Sequence, residues 1–248
     1  PLFYTFNGVT NESGVFNGIP AGSDYSWSVT DSNGCGAVTG ILQVPEPPVI
    51  AGSASVIVPI LCNGGTATVR LIGGGGTAPL FYTFNGVTNT SGIFSGVPAG
   101  TGYIWSITDV NSCIPVTGII DVTEPPVITG SASVTTEIIC NGGTATITIA
   151  GSGGTGSLSY TFNGVTNTTG VFTDIPAGSG YLWSITDDNN CGPFTGTLEV
   201  TQPDALTGTA SVTSEILCNG GTATVTITGT GGTAPLFYTF NGVTNTSG

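Results

Sequence analysis

Histidine, lysine and methionine are missing from all 248 residues, and Arg70 is the only basic side chain. Ser-His-Asp and Cys-His schemes need an imidazole base and Schiff-base enzymes need an amine, so nucleophilic catalysis of these kinds has no machinery. The same shortage removes nucleic acid and anionic lipid as partners, because both are gripped by lysine and arginine. It also rules out the Lys–Asn isopeptide crosslinks that stiffen some pili. Charged residues make up 6% of the chain and the net charge is −13, where about a quarter of an ordinary soluble domain is charged. Trypsin-like proteases therefore have almost nowhere to cut. No stretch is long and apolar enough to span a bilayer, no charged-then-apolar signal opens the chain, and no segment has helical period.

What the chain does have is a repeat. Pro-Leu-Phe-Tyr-Thr-Phe-Asn-Gly-Val-Thr-Asn starts at Pro1 and returns at Pro79 and Pro235, with a close variant at Ser157, giving a period of 78 residues. Cys62-Asn-Gly-Gly-Thr-Ala-Thr recurs at Cys140 and Cys218, and Tyr25-Ser-Trp27 has counterparts at Tyr103 and Tyr181. Such a unit is too long for a helical solenoid element and suits a small domain. Proline-rich joints at Pro45-Glu-Pro-Pro48, Glu124-Pro-Pro126 and Thr201-Gln-Pro-Asp204 divide the chain into whole domains at 49–126 and 127–204, with partial ones at 1–48 and 205–248. We read the 248 residues as a window on a longer repetitive protein. The rival is a donor-strand polymer in which the N-terminal piece of one molecule completes the C-terminal piece of another. Against it, 1–14 and 235–248 supply the same strands twice.

Within 49–126, alternation and turn chemistry place strands at Ser53–Leu61, Thr66–Ile72, Leu80–Phe84, Val87–Asn89, Gly92–Phe94, a strand carrying Tyr103, Trp105 and Ile107 on one face, and Val116–Val122. Asn85-Gly86 signals a type I′ hairpin. About seven short strands with frequent turns describe an all-β immunoglobulin-like sandwich, repeated in tandem.

A domain of this size is marginal on burial alone, and the chain's six cysteines, two per period, fit disulfides and an oxidising compartment. Cys62 falls at one pole of a regular sandwich and Cys113 at the other. In a linear array the pole carrying Cys62 meets the pole of the next domain that carries Cys191, which puts an interdomain Cys62–Cys191 bridge ahead of the intradomain pairings Cys62–Cys113 and Cys140–Cys191. Cys35, Cys140 and Cys218 complete the set.

Other residues carry two readings each. Asp31, Asp109 and Asp187 open the same turn in each unit, as calcium ligands or as Asx-turn caps; turn preferences favour caps, and calcium is the only cofactor in view. Glu46 and Glu124 at the joints are further candidates for a calcium site, though the third joint has Gln202. Asn11, Asn89, Asn167 and Asn245 stand in Asn-x-Ser/Thr, as glycosylation acceptors or as turn residues copied by duplication. Asp187-Asp188 is the one adjacent carboxylate pair, and its second member is Val110 or Ser32 in sister units, so a solvated turn explains it better than glycoside hydrolysis. Tyr103 and Trp105 suggest a glycan-stacking platform or a core, and their shared strand face favours the core. Edge strands normally carry guarding charges; these have almost none, which points to edges covered by neighbours or protected by short strands and prolines.

The pieces at Cys140–Ile147, Gly231–Pro235, Leu80–Phe84, Asn85-Gly86, Pro98–Gly100, Tyr103–Cys113 and Val122–Pro125 together resemble the SprB-type repeat of Bacteroidetes surface proteins, over every unit. Leu-Phe-Tyr-Thr-Phe stands where the family more usually has Tyr-x-Tyr-x-Trp. The resemblance implies a giant secreted adhesin on the cell surface, exported by the type IX pathway and in some members driving gliding. The reading that follows is a non-enzymatic stalk of an extracellular filament. Its partners are neighbouring repeats, lateral copies and a surface or glycan ligand. A self-assembling structural fibre or sheath is the alternative.

Overall fold

The computed structural model describes residues 1–247, and every regular element in them is a β-strand. The first repeat segment holds β1 (Leu2–Phe6), β2 (Val9–Asn11), β3 (Gly22–Asp31) and β4 (Val38–Val44). The second holds β5 (Ala51–Val58), β6 (Ala67–Gly74), β7 (Leu80–Phe84), β8 (Val87–Asn89), β9 (Ile93–Val97), β10 (Gly100–Asp109) and β11 (Val116–Val122). The third repeats that set as β12 (Thr129–Thr136), β13 (Ala145–Ser152), β14 (Leu158–Phe162), β15 (Val165–Asn167), β16 (Val171–Ile175), β17 (Gly178–Asp187) and β18 (Phe194–Val200). The last holds β19 (Thr207–Ser214), β20 (Thr224–Thr230), β21 (Tyr238–Phe240) and β22 (Val243–Asn245).

Two sheets form per whole repeat, in the orders β5-β6-β9 with β11-β10-β7-β8 and β12-β13-β16 with β15-β14-β17-β18. Read as A to G along the chain, these are A-B-E and G-F-C-C′, the strand order of an immunoglobulin-like sandwich. The fold is therefore all-β, with immunoglobulin-like sandwiches in tandem on a 78-residue repeat. The first segment forms only the second sheet, β2-β1-β3-β4, and the last forms two hairpins, β19-β20 and β21-β22.

By compactness the chain divides into two units. One comprises Pro1–Ile57, Thr68–Ser95 and Thr101–Asp121; the other comprises Val58–Ala67, Gly96–Gly100 and the chain from Val122 onward. In the second unit the core of the third segment gathers Ile147, Ile149, Phe162, Phe172, Trp183 and Ile185, all 9% exposed or less. In the first unit the equivalent Val69, Leu71, Phe84, Trp105 and Ile107 are buried in the same way. Burying one such side chain contributes about 1.5–3 kcal/mol.

Local chemistry accounts for the strand ends. The C–C′ hairpin turns at Asn85-Gly86 with φ of 46° and 83°, the two positive values a type I′ turn demands. Strand A ends at Val58, not at Leu61 as the alternation predicts, because Pro59 has no N–H to give the ladder. Strand B extends past Ile72 to Gly74, and a Cβ on Gly73 would lie 3.0 Å from the Ile107 side chain of the facing sheet. Strand E runs Ile93–Val97 rather than Gly92–Phe94. Tyr25 and Tyr181 donate their hydroxyls to the carbonyls of Pro20 and Pro176 at 3.2 Å, each reaching back from the start of strand F like an immunoglobulin tyrosine corner. In antibody domains a core cysteine lies next along that face. Here it is Trp27, Trp105 or Trp183, each laid against a glycine of strand G: Gly40, Gly118 or Gly196.

Candidate functional site

Freed from the core, the disulfide lies where one repeat meets the next. Cys62, in the loop after strand A, is bonded to Cys191, in the turn before strand G of the following repeat, with Cα atoms 5.3 Å apart across 129 residues of sequence. The intradomain pairings are not formed: Cys113 and Cys140 are free and exposed, as are Cys35 and Cys218.

Hydrogen bonds surround the bridge. Asn63 Nδ2 donates to the Pro125 carbonyl at 3.0 Å, and the Gly64 amide donates to Glu124 Oε2 at 2.6 Å. From the following repeat Asn189 Nδ2 donates to the Leu61 carbonyl at 3.5 Å. One period on, Asn141 Nδ2 reaches the Pro203 carbonyl at 3.0 Å and the Gly142 amide reaches Gln202 Oε1 at 2.8 Å. An amide oxygen and a carboxylate oxygen thus do the same work, which explains why Glu124 and Gln202 interchange at a position read as a calcium candidate. Glu46 is exposed. The Asn-Gly pair after each cysteine was not singled out by sequence reasoning, although its constant spacing from Glu/Gln-Pro was the available signal.

The aspartates hold the turn that carries the second cysteine. Asp187 Oδ1 accepts the amides of Asn189 at 3.0 Å and Cys191 at 2.9 Å, and Oδ2 accepts that of Thr155 at 2.8 Å. Asp109 does the same with Asn111, Cys113 and Thr77. Asp31 makes only the Oδ1 pair, to Asn33 and Cys35. The amides of Cys113 and Thr77, foremost, hold the Asp109 carboxyl below its ordinary value. For Asp187 burial pushes upward, but its amide bonds outweigh it and the net shift is again down. Asp109 in turn raises the Cys113 thiol by accepting its hydrogen bond. Asp188 Oδ2 accepts the Ser157 amide at 2.9 Å, so both members of the carboxylate pair serve the loop. Among the described residues no three His, Cys, Asp or Glu side chains cluster as a metal site.

The Asn-x-Ser/Thr asparagines also work locally. Asn11, Asn89 and Asn167 are half-buried, their Nδ2 donating to the carbonyls of Val15, Ile93 and Val171 and their Oδ1 accepting the amides of Gly14, Gly92 and Gly170. The nitrogen a glycan would occupy thus closes a loop. Asn245 is exposed and accepts the Ser247 amide at 3.1 Å. Trp105 is 7% exposed, and Tyr103 stacks on Phe84 at 5.3 Å, so these rings belong to the core and offer no open platform. No helix among the described residues is long and apolar enough to cross a membrane.

No protein-family model matches the chain. No curated protein matches it either. Among solved structures it is similar to the C-terminal 282-residue fragment of intimin in complex with the translocated intimin receptor's intimin-binding domain (TM-score 0.37, 11% identity, 66% of this chain and 67% of that one). It is also similar to the I9–I11 tandem of titin (0.35, 13%, 82% and 88%). A third likeness is to the N-terminal eight Ig domains of Down syndrome cell adhesion molecule (0.25, 9%, 82% and 37%). With TM-scores no higher than 0.37, the immunoglobulin-like assignment rests on the strand orders themselves.

Proposed function

We propose that this chain is a non-enzymatic stalk segment of an extracellular filament that carries a cell-surface adhesin, of the SprB-type repeat family. The observation that carries the reading is the joint: a disulfide and the Asn189–Leu61 hydrogen bond tie consecutive repeats, and the bonds that hold each cysteine loop to the joint leaving its own repeat recur one period later. A persistent disulfide fits an oxidising, extracellular setting. Polar side chains that catalysis or a metal would need are spent on turns. The task left for such a chain is reach and mechanical continuity, with any ligand-specific tip outside these residues. A gliding role is the narrower form of the same proposal.

The self-assembling fibre or sheath is kept as a second reading because the whole repeats also leave large apolar side chains open, including Ile104, Ile119 and Leu182. Imaging live source cells with a fluorescent antibody against the repeat separates the two. Discrete fibres that mediate attachment support the stalk, and fibres that travel along the cell add gliding. A continuous immobile coat overturns the stalk in favour of the sheath.

A further inference from the structure

Solvent reaches the two sulfurs of the joint unequally. Cys191 is 6% exposed and packs into the core of repeat 127–204, whereas Cys62, in the loop after strand A of repeat 49–126, is half-buried. An open groove of about 240 Å³ runs over the bridge, its walls including Pro126, Ile128 and Pro193 together with both cysteines. The one charged side chain lining it is Asp187, and no basic group lies there among the described residues. Glu124, held on the Gly64 amide, and Asp188, next along the turn, add negative charge around the same loop and turn.

Asp187 meets the bridge through the turn it holds. Its Oδ1 accepts the Cys191 amide at 2.9 Å, which sets the carboxylate beside that cysteine. Repeat 49–126 shows what a reduced cysteine faces at this position: Asp109, the equivalent of Asp187, accepts the Cys113 thiol and pushes its ionisation up. A second electron-rich oxygen, the Leu61 carbonyl, lies 3.2 Å from Cys191 Sγ. A thiolate released at Cys191 would therefore form between a buried carboxylate and a carbonyl, where its charge is disfavoured.

We propose that the groove is the site at which small thiols open the joint, that they attack only at Cys62, and that Asp187 bars anionic thiols while neutral and cationic ones enter. The inference goes beyond the stalk reading, which gives a durable joint its purpose, and its chemistry does not depend on that reading. An external thiolate attacks Cys62 Sγ, because burial closes Cys191 Sγ to it. A mixed disulfide forms between Cys62 and the reagent, the Cys62–Cys191 bond breaks, and its electron pair departs on Cys191 Sγ, which takes a proton from water. A second thiolate then attacks the reagent's sulfur and releases Cys62, which is protonated in turn. Two reagent thiols have become one disulfide and both cysteines are reduced. Exchange slows as the pKa of the leaving thiol rises, so the one accessible route ejects the worse leaving group. The route also draws the nucleophile into a negatively charged groove, which costs an anionic reagent most.

The test uses the oxidised 248-residue chain, its exposed thiols first capped with N-ethylmaleimide. Cysteamine, a cationic thiol, and mercaptoethanesulfonate, an anionic one, are added in limiting amount in separate reactions. Each reaction is quenched with iodoacetamide and mapped by mass after cleavage at aromatic residues. The expected product carries the reagent on Cys62 and the iodoacetamide label on Cys191. Rates corrected to equal thiolate concentration, and divided by those on a small neutral disulfide, should be several-fold higher for cysteamine. D187N should lose most of that preference and D187E should keep it. Reagent found on Cys191, or equal corrected rates in the wild-type chain, overturns the proposal whether or not D187N folds. A D187N chain that opens faster with both reagents in the wild-type ratio also overturns it, because a loosened turn alone would do that. None of these outcomes alters what live-cell imaging would show, so the two readings fail separately.

Discussion

At the residue scale, carboxylates stand in for a structural cross-brace. Asp187 is 3% exposed and Asp109 2%, yet both are held in the charged form by amide N–H groups aimed at their oxygens. A carboxyl whose folded pKa is depressed stabilises above its unfolded value, near 3.9, and that contribution is lost as pH falls through the folded value. The melting temperature should therefore hold steady from neutral pH down to about 4 and then drop. Asp109→Asn with Asp187→Asn should melt lower at pH 7 and show a flatter acid limb; a wild-type profile with no acid limb would contradict this. Asp187→Ala should cost more than Asp188→Ala, since Asp188 is exposed and accepts the Ser157 amide where Asp187 is buried and accepts three. Thermal melts of the two variants side by side decide it.

At the element scale, two glycines test two different demands. Gly86 needs only its backbone, with φ of 83° and open space within 4 Å of where a Cβ would sit, so Gly86→Ala should cost about 1 kcal/mol as left-handed strain. Gly118 has an ordinary φ, but a Cβ there would meet the Trp105 ring at 2.5 Å, so Gly118→Ala should cost roughly 1–3 kcal/mol by overpacking. Denaturant titration with a fluorescence readout separates them, because only Gly118→Ala should shift the Trp105 emission. The hairpin was legible in the sequence because Asn-Gly has one favoured turn, and strands C, C′ and G fall where alternation places them. The glycine under the tryptophan was not legible, since a glycine in a strand reads as weakness until the facing ring is known. The cysteine at the joint was reached from the poles of the sandwich. The Asn63 and Gly64 bonds to the Glu124-Pro125 joint needed coordinates, because they span about 60 residues and no local pattern marks them. The calcium and glycan readings share a cause: acidic and amide side chains read as ligands in a sequence, whereas the backbone groups that Asp109, Asp187 and Asn89 bind are seen only in the fold.

At the scale of the whole molecule, the bridge redirects force. Its 129-residue span exceeds the 78-residue period, so a bridge repeated at each period would overlap the next one. Tension entering at Cys62 crosses directly to Cys191, and the strands between them, most of two sandwiches, stay unloaded. A repeat that bears load only through overlapping covalent loops cannot be pulled open one sandwich at a time. On the chain-entropy estimate a loop of this length adds about 5 kcal/mol, so Cys62→Ser should lower the denaturant midpoint as well. The mechanical prediction is the more specific of the two. Stretched by its ends in a single-molecule force instrument, the oxidised chain should reach a contour length shorter than the reduced chain by roughly 440 Å, the span of 129 residues at about 3.4 Å each. Adding reductant under load should release that length in one step, and Cys62→Ser should lack the step. Equal contour lengths before and after reduction would show that the joint carries no load.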